Sequence, residues 1–124
     1  ACLVYLLHQL YLIWGFVMVS SYGKNAKVFK ALCDEKRLRI LELLQDGERC
    51  VCTLHEPLGL PQSTLSYHLR ILCESGIVAG RQEGKWTYYH ISQPGSRAAA
   101  QLLAKLTSVA PERAPRKTRC TCAT

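Results

Sequence analysis

Residues 48–73, ERCVCTLHEPLGLPQSTLSYHLRILC, set the architecture of the chain. From Gln62 to Ser75 the leucines fall at Leu65, Leu69 and Leu72, the i, i+4, i+7 spacing of one buried helical stripe, and Gly76 is placed to stop the helix. Upstream, Thr53–Leu58 suits a short helix and Gly59-Leu60-Pro61 a tight turn, so the two helices form a helix-turn-helix. The second helix carries Ser63, Ser66, Tyr67 and Arg70 on its polar side, with Gln62, Thr64 and His68 near its start. These are short hydrogen-bonding groups rather than a solvating run of Lys and Glu, and they suit base edges and phosphates. The competing reading is an ordinary amphipathic helix with a polar outer face.

Just before this unit lie two thiols, Cys50 and Cys52. Two residues span about 200° of a regular helix, so side chains at i and i+2 point to nearly opposite sides. The pair can share one soft metal or metalloid only where the backbone is non-helical, or is made so on binding. Ligand binding there would distort the first helix of the reader and misalign the second. The alternative is that one or both are small buried hydrophobes, against which the charged flank Glu48-Arg49 argues.

The remaining chain is arranged around these two features. A length of 124 residues with 48% hydrophobic side chains supports one domain with a core. The net charge of +7 suits a polyanionic partner. The excess is uneven, however: residues 22–92 carry ten Lys/Arg against eight Asp/Glu, and residues 93–124 six against one. Seven cysteines, an odd number with no secretory framework, point to reduced thiols in the cytoplasm. Residues 1–21 are nearly all apolar and uncharged, barely long enough for a membrane span and lacking the positive start of a signal peptide. The expectation is a native start at Met18, the only methionine, with a membrane role disfavoured.

Lys24–Cys33 reads as a helix with Ala26, Phe29 and Leu32 or Cys33 inward; Asp34 caps the next, in which Leu38, Leu41 and Leu44 recur beside Ile40 and Leu43 until Asp46-Gly47. Cys33 and Cys73 are assigned to packing. After Gly76, Ile77–Gln82 and Lys85–Ile91 flank Glu83-Gly84 as a β-hairpin, a wing whose Arg81 and Lys85 would reach phosphate or the minor groove. His90 is assigned a structural role. Ser96 is the expected cap of a last helix, Arg97 to about Val109, whose Ala99, Leu102, Leu103, Leu106 and Val109 exceed what one small domain needs to cover. A partner helix, and hence a two-fold dimer, is expected. The tail, residues 110–124, is basic and Pro-containing, is expected to be disordered, and ends in a second Cys-X-Cys, Cys120 and Cys122, candidate additional ligands. The fold class is therefore mainly α with a small β-hairpin: a dimeric winged helix-turn-helix over residues 22–109.

This order of elements resembles the ArsR/SmtB family of metal-responsive winged-helix repressors. The resemblance rests on KALCDEKRLRILELL (30–44), ERCVCTL (48–54), which is similar to that family's ELCVCDL arsenic box, QSTLSYHLRIL (62–72) and GRQEGKWTYYHI (80–91). It implies that Cys50 and Cys52 hold trivalent arsenic or antimony as inducer, or contribute to a cadmium/lead site, and that Gln62, Ser63, Ser66 and His68 face DNA. Some arsenic-sensing relatives have a third cysteine where this chain has His55. Zinc-sensing relatives place His and acidic residues on the last helix, where this chain has none between Arg97 and Val109. The expected function is an operator-binding repressor, not an enzyme, with no small organic substrate. The alternatives are the same reader responding to cadmium/lead, or to oxidants and reactive sulfur. A thiol enzyme is disfavoured because no Cys-X-X-Cys or βαβ pattern is present, and a winged helix used only for protein contacts is disfavoured by the polar face of the second helix.

Overall fold

The computed structural model describes residues 21–109. The expectations placed on the apolar N-terminal segment, including the start at Met18, and on the tail with Cys120 and Cys122 lie outside the described residues.

The chain is helical over 21–32 (α1), then forms α2 (Glu35–Leu44), β1 (Arg49–Cys50), α3 (Val51–Leu58), α4 (Gln62–Glu74), β2 (Val78–Glu83), β3 (Trp86–Ile91) and α5 (Gln93–Thr107). It is a mostly helical winged helix-turn-helix. Asp34 starts α2 as expected: its backbone is extended and its carboxylate accepts the amides of Lys36 at 2.9 Å and Arg37 at 3.2 Å. At Gly59 the backbone turns left-handed, φ 61°, and the Gly59 amide closes on the carbonyls of His55 and Glu56. That single reversal sets α4 against α3. Leu54 and Leu58 from α3, Leu65, Leu69 and Leu72 from α4, and Ile40 and Leu44 from α2 form the core, closed by Ala31, Ile77 and Val78.

The strands form one antiparallel sheet in the order β1-β3-β2. Strand β1 pairs Arg49 with Tyr89 and Cys50 with Tyr88; β2 pairs Val78 with Ile91 through to Glu83 with Trp86. The wing therefore turns on Gly84-Lys85, with Gly84 at φ 60°, one residue later than expected.

Several expectations shift. Strand β1 was not foreseen, because two residues carry no periodic signal. Helix α3 begins at Val51 rather than Thr53. Helix α5 begins at Gln93 because the Ser92 hydroxyl, not Ser96, accepts the Gly95 amide, and Pro94 occupies the first turn where it costs no helical bond. Leu38 faces solvent while Arg37 is buried. On α1, Ala26 and Cys33 are exposed and Ala31 is the residue fully enclosed. Among the described residues no helix is long and apolar enough to cross a membrane.

Gly95 marks the closest approach of α5 to the end of α4. A Cβ built there would lie 1.7 Å from the Gly76 carbonyl oxygen. Gly95→Ala must push the two backbones apart, and urea unfolding should report a loss of about 1 to 3 kcal/mol, the usual cost of overpacking; an unchanged midpoint would refute the contact.

Candidate thiol site and nucleic-acid interface

The thiol pair sits where β1 becomes α3. Cys50 is the residue before the helix, with extended backbone at φ −74° and ψ 152°, and Cys52 is the second residue inside it. The junction thereby escapes the opposed arrangement that a continuous helix would impose at i and i+2. Both cysteines line one cleft at this junction, and the influence of Cys50, followed by desolvation, pushes the Cys52 thiol above its ordinary pKa. Cys50 is buried and Cys52 exposed, so the pair has an inner and an outer member. The non-helical condition is met at Cys50 with α3 intact.

Around the pair is a cleft of about 420 Å³ that includes Asp46, Glu48, Trp86 and Tyr88. Among the described residues no group of three or more His, Cys, Asp and Glu side chains converges in a metal-binding cluster. His55, at the position of the expected third ligand, is exposed and directs Nδ1 to the Leu60 carbonyl. Cys73 is half-buried and burial pushes its thiol up, as suits a packing residue; Cys33 is exposed, which corrects its assignment to the core.

On α4, Gln62, Ser63, Ser66, Tyr67 and Arg70 are exposed on one outer surface, and Thr64 is half-buried. The Arg70 guanidinium lies over the Tyr67 ring at 5.6 Å. His68 departs from the expectation. It is only 6% exposed and faces the core, with Nδ1 3.2 Å from Arg37 Nη1 and 3.9 Å from Asp34. Its assignment to the DNA-contacting face is corrected: Leu65, His68, Leu69 and Leu72 complete the i, i+3, i+4, i+7 stripe, so His68 points inward with the leucines.

Arg37 is the partner that sequence reasoning missed. It lies in a charged run, yet it is 7% exposed and donates to the Ala31 carbonyl at 2.8 Å and the Lys30 carbonyl at 3.0 Å. Arg37, Ile40 and Leu44 also follow i, i+3, i+7, the signal that could have revealed it. Burial holds the His68 imidazole below its ordinary pKa, against the opposing pull of Asp34. The neutral ring can then accept from the guanidinium.

On the wing, Lys85 is exposed at the turn, its Nζ 5.9 Å from the Trp86 ring. Arg81 is not a free wing-tip cation. Its Nε donates to both Glu48 carboxylate oxygens at 3.0 and 2.9 Å, Nη2 donates to Glu48 again, and Nη1 donates to Glu83 at 2.7 Å. The arginine expected to reach phosphate is thus engaged by two carboxylates. Glu48, 33 residues away in sequence, was missed because no local pattern joins the two.

Comparison with known proteins places these features in context. Residues 34–79 match the family model described as bacterial regulatory protein, arsR family. The chain is 47% identical over 74 residues to an uncharacterized HTH-type transcriptional regulator of Methanocaldococcus jannaschii, covering 59% of this chain and 83% of that protein. It is 46% identical over 70 residues to the arsenical resistance operon repressor of Bacillus subtilis, covering 56% and 67%. A solution structure from Mycobacterium bovis, described as a homodimeric winged helix-turn-helix DNA-binding domain of a possible ArsR-family regulator, superposes with a TM-score of 0.60 at 34% identity, covering 73% of this chain and 87% of that one.

The His68 environment makes a pH prediction. The folded pKa is depressed below the ordinary value of 6.5, so the unfolded chain takes up its proton first as pH falls. The stability from neutral His68 is fully present above about pH 6.5 and is lost as pH drops below it. In urea unfolding, the stability gap between wild type and His68→Gln should narrow between about pH 7.5 and 5.5. A gap independent of pH would contradict the buried neutral assignment.

Proposed function

The chain belongs to the arsR family of bacterial regulatory proteins, DNA-binding transcriptional regulators, and we propose that it is a homodimeric repressor released from its operator by trivalent arsenic or antimony at Cys50 and Cys52. The observation that carries this reading is the placement of both cysteines on one cleft at the β1–α3 junction, with Cys50 extended and outside the helix. The B. subtilis relative is an arsenical resistance operon repressor, which supports the same ligand class.

The chemistry is condensation without redox change. As(OH)3 and two thiols give RS–As(OH)–SR and two waters; each thiol proton leaves with a hydroxide of the arsenous acid. Two As–S bonds form and two As–O bonds break. The product is uncharged, so release of DNA must come from conformation rather than from added charge at the thiols.

Gln62, Ser63, Thr64, Ser66, Tyr67 and Arg70 are the proposed operator contacts from α4, with Lys85 on the wing. Hydroxyl and amide groups near a helix start suit base edges, and Arg70 and Lys85 suit phosphate. The dimer reading is supported by α5, which buries none of its residues and leaves Leu103 and Leu106 exposed at 52 and 53%, with Val109 exposed just beyond its end. Beside it is an apolar groove of about 410 Å³ that includes Phe29, Leu32 and Leu41. A second copy would cover this face and present two α4 helices to half-sites about one helical turn apart.

The ligand must bind the released conformation more tightly, and by linkage it weakens DNA by the same factor. Fluorescence anisotropy on the DNA upstream of the gene should show arsenite raising the operator Kd by about 5- to 150-fold, the usual range of allosteric coupling. Cys50→Ser and Cys52→Ser should each bind operator and ignore arsenite. An undiminished response in either variant would sink the thiol assignment.

A further inference from the structure

We infer that Glu48 is a positioning residue for the wing: it withholds Arg81 from DNA phosphate, and occupancy of the Cys50–Cys52 pair sets how firmly it does so. The inference rests on the proposed inducer site and deepens it, by naming the path from thiols to DNA.

Three observations carry it. First, Cys50, Tyr88 and Arg81 form one row across the sheet. Cys50 and Arg81 are both register partners of Tyr88, on its two sides, and directly opposed residues share a sheet face. The Arg81 guanidinium lies over the Tyr88 ring at 4.9 Å, and Tyr88 also lines the cleft that holds both thiols. Second, Arg81 is gripped by two carboxylates, Glu48 from ahead of β1 and Glu83 from its own strand. Glu48 and Arg81 belong to opposite edges of the sheet, so their pair is a strap over β3. The Glu48 carboxyl is held below its ordinary range first by its hydrogen bonds from Arg81. Third, the backbone anchor of Glu48 is slight, although its carboxylate also lies 3.6 Å from His90 Nδ1 on β3. It stands two residues before Cys50, and β1 makes only two register pairs with β3.

The two partners compete for one guanidinium. An arginine whose charge is met by two carboxylates is a poor phosphate ligand, and carboxylates at a wing repel the DNA backbone. The pair is half-exposed on the arginine side, 49%, and 30% exposed on the glutamate side, so it is a weak, salt-screened hold that phosphate can displace. Displacement requires β1 to let Glu48 swing away. When the thiols are free, two strand pairs resist that motion. Once both sulfurs are bonded to one arsenic atom, the end of β1 is tied to the first turn of α3, itself fixed in the core by Leu54. Glu48 then stays on Arg81, and the wing loses a phosphate contact.

The test is the salt dependence of operator binding, because the slope of log K against log salt counts phosphate contacts at about 0.9 each. Full-length wild type, Glu48→Gln, Arg81→Gln and the double variant are compared with and without arsenite. Arsenite should make the wild-type slope shallower by up to about 0.9 per wing, whereas Glu48→Gln should keep the steeper slope in both conditions. On the Arg81→Gln background the arsenite-induced drop in slope should be absent with or without Glu48→Gln, which a merely structural glutamate would not satisfy. An arsenite-induced drop in slope that persists in Glu48→Gln, or one that survives loss of Arg81, overturns the inference while leaving the repressor reading intact. A wild type that ignores arsenite overturns the inducer reading and the link together, and the free-protein slopes then judge the strap alone.

Discussion

The reader is held in place by one buried guanidinium. Arg37 donates to the carbonyls of Lys30 and Ala31 at the end of α1, lies 3.6 Å from the Asp34 carboxylate that caps α2, and meets His68 of α4. The last carbonyls of a helix lack partners within it, so the same cation that would be costly to bury unpaired satisfies the Ala31 carbonyl and shares the Lys30 carbonyl with the Cys33 amide. Three helices meet at this side chain. Desolvation would raise the Asp34 carboxyl, but hydrogen bonds from the Arg37 and Lys36 amides and the nearby cations leave it lowered. A charged pair and a neutral ring thus coexist in the same small volume. Removing one partner from such a network typically costs about 3 to 5 kcal/mol, because the remaining charge stays buried.

This anchoring leaves the end of the molecule that carries Cys50 and Cys52 comparatively loose. Leu54 of α3 and the leucines of α4 are fully enclosed, while β1 is two residues long and the wing beyond Ala79 is exposed along β2. Local stability follows buried apolar contact, so conformational change at the thiols is easiest at β1 and the wing and hardest at α4. A ligand at Cys50 and Cys52 is therefore better placed to alter how the wing engages DNA than to tilt a recognition helix pinned by Arg37 and His68. The expected route, distortion of α3 followed by misalignment of α4, would have to move Leu54 and Leu58 against Leu65 in a close-packed core.

Much of this was legible from spacing alone. The leucines of α4, the Asp34 cap and the strand-rich WTYYHI each express a local rule, and local rules survive into the fold when packing agrees with them. The errors have a common origin. Arg37 and His68 occupy buried positions of their helices, but the polarity of His68 outweighed its spacing and placed it toward DNA, and Arg37 was not singled out. Leu38 was placed inward for the converse reason. Burial of a polar group depends on partners elsewhere in the chain, here 31 residues apart for Arg37 and His68, which a single-element pattern cannot contain. The same holds for Glu48 and Arg81. The thiol pair was readable as chemistry, and its condition, a non-helical backbone, was readable as geometry; that β1 would supply it was not, since a strand of two residues exists only through its partner β3.

The arginines also recast what the net charge means for DNA. Arg37 is consumed inside the core, Arg81 is met by two carboxylates, and Arg49 donates to the Leu43 carbonyl and to Asp46. Arg70, stacked on Tyr67 beside the hydroxyls of Ser63 and Ser66, is by contrast exposed on the α4 surface. Counterion release scales with the cations that reach phosphate, not with the formal charge of the chain. A winged helix built this way obtains little non-specific affinity from residues 22–92, where acids nearly balance bases. On the proposed reading its discrimination rests on base-edge hydrogen bonds from α4, and a change of even one phosphate contact per wing is then a large fraction of what holds the protein on DNA.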